Sequence, residues 1–160
     1  MLKISVACVG KIKEKYLTEG LREYEKRLSA YCRFSWLEVP DEKTQEGASE
    51  TEDAIIRKTE GERLLKRIPA DAYVIALTID GKVRDSVGFS AHLDKLAVSG
   101  ESHIVFVIGG SIGLSEEVQN RADETLSFSA MTFPHQLMRL ILAEQLYRAF
   151  RISRHEPYHK

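Results

Sequence analysis

The chain has 160 residues, of which 43% are hydrophobic and 29% charged, with a formal net charge of −1. These values fit one globular domain over residues 1–160 with a core of its own, and they argue against a bulk electrostatic binder of nucleic acid. The apolar run at residues 4–9 is far shorter than the roughly 18 residues a bilayer span needs. It also lacks a cleavage site, so the sequence reads as cytoplasmic, with no membrane partner.

Apolar, β-branched runs predict strands over residues 4–9, 34–39, 73–79, 104–108 and 126–129. Cys8 lies in the first and reads as a small core residue, since it forms no C-x-x-C pair with Cys32. Between the first two strands, Tyr16, Leu17, Leu21, Tyr24 and Leu28 recur at helical spacing within residues 13–30. Residues 41–48 read as a loop. Ser49 and Glu52 form a capping box for a helix that runs to about Arg67 and stops before Pro69. Asp80-Gly81 reads as a turn, followed by a helix around residues 89–99. Ser115 can cap a short helix with Glu116 and Glu117 in its first turn. Strands alternating with helices imply an α/β fold: a mainly parallel sheet of about five strands, covered on both faces.

The final helix, from first-turn Pro134 to about Ile152, is apolar almost all round, which marks a helix that is central or covered by a partner. Arg139 is the exception, because it projects with Ala143, Leu146 and Phe150, away from Glu144, Arg148 and Arg151. A charge on an apolar face has to be paired or put to use. Charge is also unevenly spread. Residues 1–33 carry eight Lys/Arg against four Glu, residues 38–60 eight Asp/Glu against three Lys/Arg, and residues 139–160 five Lys/Arg against two Glu. Two basic regions on a near-neutral chain allow a partner with phosphates.

In open α/β sheets ligands bind beyond the carboxyl ends of strands. The loops that qualify follow Leu77, span 109–113 and span 128–133. Gly109-Gly-Ser-Ile-Gly113 lets a backbone approach a ligand closely, but Ile108 stands where a dinucleotide fingerprint needs its first glycine, and no Walker A pattern exists. His92 and His103 have no partners in sequence and read as surface or strand-end residues, while His135, His155 and His159 match no zinc spacing. There is no Gly-x-Ser-x-Gly elbow. The terminal Pro157-Tyr158-His159-Lys160 offers stacking, imidazole and cationic groups, and is expected to belong to an active site.

Taken together, Ile108-Gly-Gly-Ser-Ile-Gly-Leu114, 126–135 (Leu-Ser-Phe-Ser-Ala-Met-Thr-Phe-Pro-His), Arg139, Ala143-Glu-Gln-Leu-Tyr-Arg-Ala149 and the terminal Pro-Tyr-His-Lys resemble the SPOUT class of RNA methyltransferases, in its minimal ribosomal RNA-modifying form. Val9-Gly-Lys11, 23–27 (Glu-Tyr-Glu-Lys-Arg), Glu38-Val-Pro40 and Glu60-Gly-Glu62 extend the match over essentially the whole chain. The resemblance implies a C-terminal trefoil knot, a rare exception to the rule that connections do not thread loops. It further implies S-adenosylmethionine held by Leu77, Gly109, Phe128, Ser129, Ala130, Met131, Thr132 and Phe133, a homodimer, and no metal. The implied reaction is methylation at N3 of a pseudouridine in helix 69 of 23S rRNA on the assembled ribosome. On that basis Arg139, His135, Tyr158 and His159 are the expected catalytic residues, with Arg139 stabilising the nucleophile's anion. Arg148, Arg151, Arg154 and Lys160 are the expected RNA contacts. Two other readings are a nucleotide-dependent enzyme, which lacks its first-strand glycine fingerprint, and a non-catalytic ribosome-associated dimer, which binds no S-adenosylmethionine.

Overall fold

The computed structural model describes residues 1–160 as five parallel strands and five helices. The strands are β1 (Lys3–Val9), β2 (Arg33–Val39), β3 (Tyr73–Val83), β4 (His103–Val107) and β5 (Glu124–Ser127), ordered β2-β1-β4-β3-β5. The helices are α1 (Lys15–Leu28), α2 (Glu50–Arg67), α3 (Ser86–Val98), α4 (Glu116–Arg121) and α5 (His135–Ser153). Every strand pairing is parallel, so both faces of the sheet must be covered by crossover helices.

Alternation along the central strands divides the core in two. Ile4, Val6 and Cys8 of β1 and Ile104 and Phe106 of β4 face Leu21, Leu28, Phe89, Leu93, Leu142 and Leu146, on α1, α3 and α5. Ala7, Val9, Val105 and Val107 face the other way, onto Leu64 of α2 and Val118 of α4. Cys8 is fully buried and its thiol pKa is pushed up to about 12 by that burial, as a core residue requires. No helix is long and apolar enough to cross a membrane.

The helix starts follow the sequence. Ser49 Oγ accepts the Glu52 N–H and its hydroxyl donates to the Glu52 carboxylate, so the expected pair of residues meets at the cap, and Ser115 accepts the Val118 N–H at the start of α4. Four local readings change. β3 does not turn at Asp80-Gly81: residues 78–81 loop out of the β5 ladder, and pairing resumes so that Leu126 faces both Leu77 and Lys82. Gly81 permits this, since a Cβ there would lie 2.8 Å from Leu126 N. α3 starts at Ser86 because Asp85 caps it through the Gly88 N–H. β5 ends at Ser127, which releases residues 128–133 as loop. Pro134 is the N-cap of α5 rather than a first-turn residue.

Two histidines also gain partners that sequence spacing did not reveal. His92 Nε2 meets both oxygens of Glu124, at 2.9 and 2.7 Å, and His103 Nε2 lies 2.9 Å from Ser5 Oγ. His103 opens β4, and His92, on α3, meets the residue that opens β5, so both contacts lie at the amino ends of strands, away from the carboxyl ends.

Arg139 is paired. The residue is 1% exposed, NH1 donates to Glu38 Oε2 at 2.6 Å, and NH2 donates to the carbonyls of Val9 and Gly10 at 2.8 Å each. The guanidinium thus ties the start of α5 to the carboxyl ends of β1 and β2. Arg139→Ala leaves two buried carbonyls without donors, and a loss of about 3–5 kcal/mol is expected, measured by urea unfolding. A loss below about 1 kcal/mol would show that the tie carries little stability.

Candidate active site

A cavity of about 1110 Å³ opens where the carboxyl ends of β3, β4 and β5 meet the amino end of α5. Its walls are the β3 excursion (Leu77 to Asp80), the glycine loop (Ile108 to Leu114), the segment after β5 (Phe128, Ser129, Met131, Thr132, Phe133) and Pro134, His135 and Met138 of α5. The carboxyl-end rule therefore brings the three expected loops to one place. Of the residues expected to hold a cofactor, Leu77, Gly109, Phe128, Ser129, Met131, Thr132 and Phe133 line the cavity, whereas Ala130 is exposed and does not. Arg57 of α2 and Gln119 and Asn120 of α4 also line it, and sequence reasoning missed them. Arg57 sits on a helix remote in sequence that packs on the glycine loop, and Gln119 and Asn120 on the short helix just after it, where nothing in the sequence shows which side faces the cavity.

The loop geometry depends on its glycines. A Cβ on Gly109 would lie 2.6 Å from the carbonyl carbon of Gly113, and Gly113 itself has φ +87°. The Gly113 N–H bonds back to the Gly110 carbonyl at 3.1 Å, closing a tight loop over the end of β4. Thr78 Oγ1 is buried at the cavity wall without a hydrogen-bond partner, a polar group left for a ligand.

His135 is the expected catalytic residue at the cavity. Burial and the nearby positive charge of Arg139 lower its pKa below the usual imidazole value, so it is neutral at pH 7 and able to accept a proton. Arg139 itself does not line the cavity. Its guanidinium is enclosed by Glu38, Val9 and Gly10, which sets it up to hold α5 and the His135 electrostatics rather than to touch a substrate.

Tyr158 and His159 lie elsewhere, in the segment that follows α5 and packs back against it. The helix ends in a Schellman arrangement, with the Glu156 N–H bonded to Arg151 O at 2.9 Å and the His155 N–H to Ile152 O at 3.0 Å. His155 takes the left-handed position (φ 55°) usually filled by glycine. That turn folds Pro157 and Tyr158 back along the helix. Tyr158 donates to Glu144 Oε2 at 2.6 Å, its ring sits 4.9 Å from that of Tyr147, and the Arg148 guanidinium lies 4.8 Å above it. Burial and the Glu144 hydrogen bond raise the Tyr158 pKa, so it remains a phenol that donates. Arg148 also reaches His159 Nδ1 at 3.0 Å, and Arg151 donates to the Pro157 carbonyl at 2.6 Å. Arg154 lies over the Tyr31 ring at 4.7 Å, and Lys160 is exposed. Glu144 follows His135 by nine residues, about 14 Å along the axis, so the tail and the cavity of one chain stand apart. No cluster of three or more His, Cys, Asp or Glu is positioned to hold a metal.

Residues 2–159 match the family described as Predicted SPOUT methyltransferase, and the chain belongs to that family. Its curated relatives include proteins named Ribosomal RNA large subunit methyltransferase H. It is 57% identical to the one from Exiguobacterium sp. strain AT1b and 58% identical to the one from Listeria monocytogenes, in each case over 99% of this chain and 100% of the relative. In fold it is similar to a protein from Haemophilus influenzae Rd KW20 described as a probable methylase family protein, with a TM-score of 0.53 at 12% identity, over 98% of this chain and 70% of that one. SPOUT methyltransferases use S-adenosylmethionine, and the cavity suits it. The volume slightly exceeds the roughly 300–1,000 Å³ of small-ligand pockets, leaving room beside the cofactor for a base. Gly109→Ala is expected to weaken S-adenosylmethionine binding at least about tenfold by calorimetry, because the added methyl collides with the Gly113 backbone. Unchanged affinity would place the cofactor elsewhere.

Proposed function

We propose that this chain is a 23S rRNA methyltransferase that modifies N3 of a pseudouridine in helix 69 on the assembled ribosome, acting as a cytoplasmic homodimer that uses no metal. The single observation that carries this reading is the cavity of small-residue loops at the carboxyl ends of β3, β4 and β5, in a chain whose full-length relatives bear a ribosomal RNA methyltransferase name. When bound, S-adenosylmethionine supplies the methyl group together with its own leaving group.

The residues then divide the remaining work. Leu77, Gly109 and the residues Phe128, Ser129, Met131, Thr132 and Phe133 hold the cofactor at the cavity wall. The nucleophile is a ring nitrogen that carries a proton at neutral pH, so a neutral base beside the cavity is needed, and His135 fills that role. Arg139 acts through His135, helping to keep the imidazole neutral and holding its helix in place. Tyr158, its hydroxyl fixed by Glu144 and its ring held against Tyr147, and His159 orient the target base. Arg148, Arg151, Arg154 and Lys160 supply positive charge for rRNA phosphates.

Homodimerisation is supported by α5, which leaves Met138, Leu140, Ile141, Tyr147 and Phe150 only partly buried in one chain. A second subunit would cover what these side chains leave exposed. It would also allow the tail of one chain to reach the cavity of the other, bridging the separation seen within a chain. The trefoil knot comes with the family reading and puts the cofactor loops in its threaded part.

The test is mass spectrometry of 23S rRNA after incubating intact ribosomes with protein and S-adenosylmethionine. One added methyl on a helix 69 pseudouridine is expected, and no modification, or modification elsewhere, would refute the reading. In the same assay the wild-type rate should fall on acidification through the lowered His135 pKa as the imidazole gains its proton. His135→Gln should run at least about tenfold slower and lose that acid limb. An unchanged profile would remove His135 from proton handling.

A further inference from the structure

α2 presents one face to the glycine loop. Arg57, Glu60 and Gly61 stand at helical spacing i, i+3 and i+4, and each meets the loop or its exit. Arg57 NH1 donates to the Ile112 carbonyl at 3.3 Å. A Cβ on Gly61 would lie 2.3 Å from Ser115 Oγ, so the helix backbone rests against the cap of α4. Glu60 lies between them and is 4% exposed. Its Oε2 accepts the Glu42 N–H at 3.0 Å, just beyond β2. Its Oε1 is buried with no partner, and a Cβ on Gly110 would come within 2.9 Å of that oxygen.

A half-satisfied buried carboxyl costs more than a leucine or glutamine of similar size would at the same place. It sits directly behind the backbone of the loop that walls the cavity, and nothing in the methyl-transfer reading above uses it. We propose that Glu60 is a positioning residue of the cofactor site: its buried carboxyl, anchored through Oε2 on the Glu42 N–H, braces the Gly109–Gly113 loop from α2 by packing Oε1 directly behind Gly110. Arg57 holds the far side of the same loop, so the two residues grip it at Gly110 and Ile112. Burial raises the Glu60 pKa, in keeping with a carboxyl that lacks water and a full set of donors. A glutamine retains both the shape and an oxygen acceptor, whereas an alanine removes the brace. The inference rests on the cofactor reading only for its consequence, since the brace itself is a property of the free protein.

The experiment compares wild type, Glu60→Gln and Glu60→Ala by amide hydrogen exchange without ligand and by calorimetry with S-adenosylmethionine. Glu60→Ala is expected to speed exchange in residues 109–113 about tenfold or more while the strand at 103–107 keeps its protection, and to weaken cofactor binding about tenfold. Glu60→Gln should stay within about threefold of wild type in both. In ribosome methylation the Glu60→Ala loss should fall mainly on the KM for the cofactor rather than on kcat. Wild-type exchange rates in the loop of Glu60→Ala would overturn the brace. So would accelerated exchange spread evenly through β4 and the helices, the mark of general destabilisation. If wild type failed to bind S-adenosylmethionine, the cofactor reading would fall, and the exchange data would still decide the brace.

Discussion

The site depends on a buried guanidinium. Arg139 enters the interior from the first turns of α5 and finds three oxygens: the carbonyls of Val9 and Gly10, where β1 ends, and the carboxylate of Glu38, near the end of β2. An arginine in an apolar interior is tolerated when its terminal donors are met; here both terminal nitrogens are, Nε alone lacks a partner, and the acceptors come from two strands 100 residues and more before the helix. The tie therefore fixes where α5 starts relative to the carboxyl edge of the sheet. One turn before Arg139 is His135, at the cavity wall, and the same positive charge disfavours protonation of that imidazole. A single interaction thus links the fold, the placement of the cavity and the protonation state of the residue best placed to use it.

Much of the architecture was legible because it follows local rules. Five apolar runs gave five strands, and Ser49 and Ser115 marked helix starts through cap chemistry that acts within three residues. The carboxyl-end rule brought the loops after Leu77, at Gly109–Gly113 and at 128–133 to one cavity. What escaped depends on distant partners. The excursion at residues 78–81 exists because β5 pairs on both sides of it, and the dipeptide Asp80-Gly81 alone reads as a turn. The periodicity of α5 showed that Arg139 was anomalous but could not distinguish an ion pair from a reactive charge, because Glu38 lies 101 residues away. Arg57 and Glu60 belong to a helix whose bearing on the glycine loop only the packed structure reveals.

The end of the chain combines both lessons. Its aromatic and cationic composition marked it as more than a loose tail, and it does fold, clasped by Glu144, Tyr147, Arg148 and Arg151. Yet it folds onto the flank of α5, about two turns and more from His135 along the same helix. A site that needs the cavity and the tail together is then built from two chains, and the partly buried apolar side chains of α5 offer surface on which they would meet. The glycine loop, the neutral imidazole and the tail's phenol ring come together in one place only under that arrangement.

The measurement that bears most directly on this account is complementation between two inactive variants. One lacks residues 157–160, the other carries His135→Gln, and the two are co-folded in equal amounts and assayed for methylation of ribosomes. If the tail acts across the dimer, half of the randomly paired molecules are mixed and each holds one intact site, so the mixture should regain about a quarter of wild-type activity. Activity no higher than that of the separate variants would contradict the shared site and return the tail to its own chain.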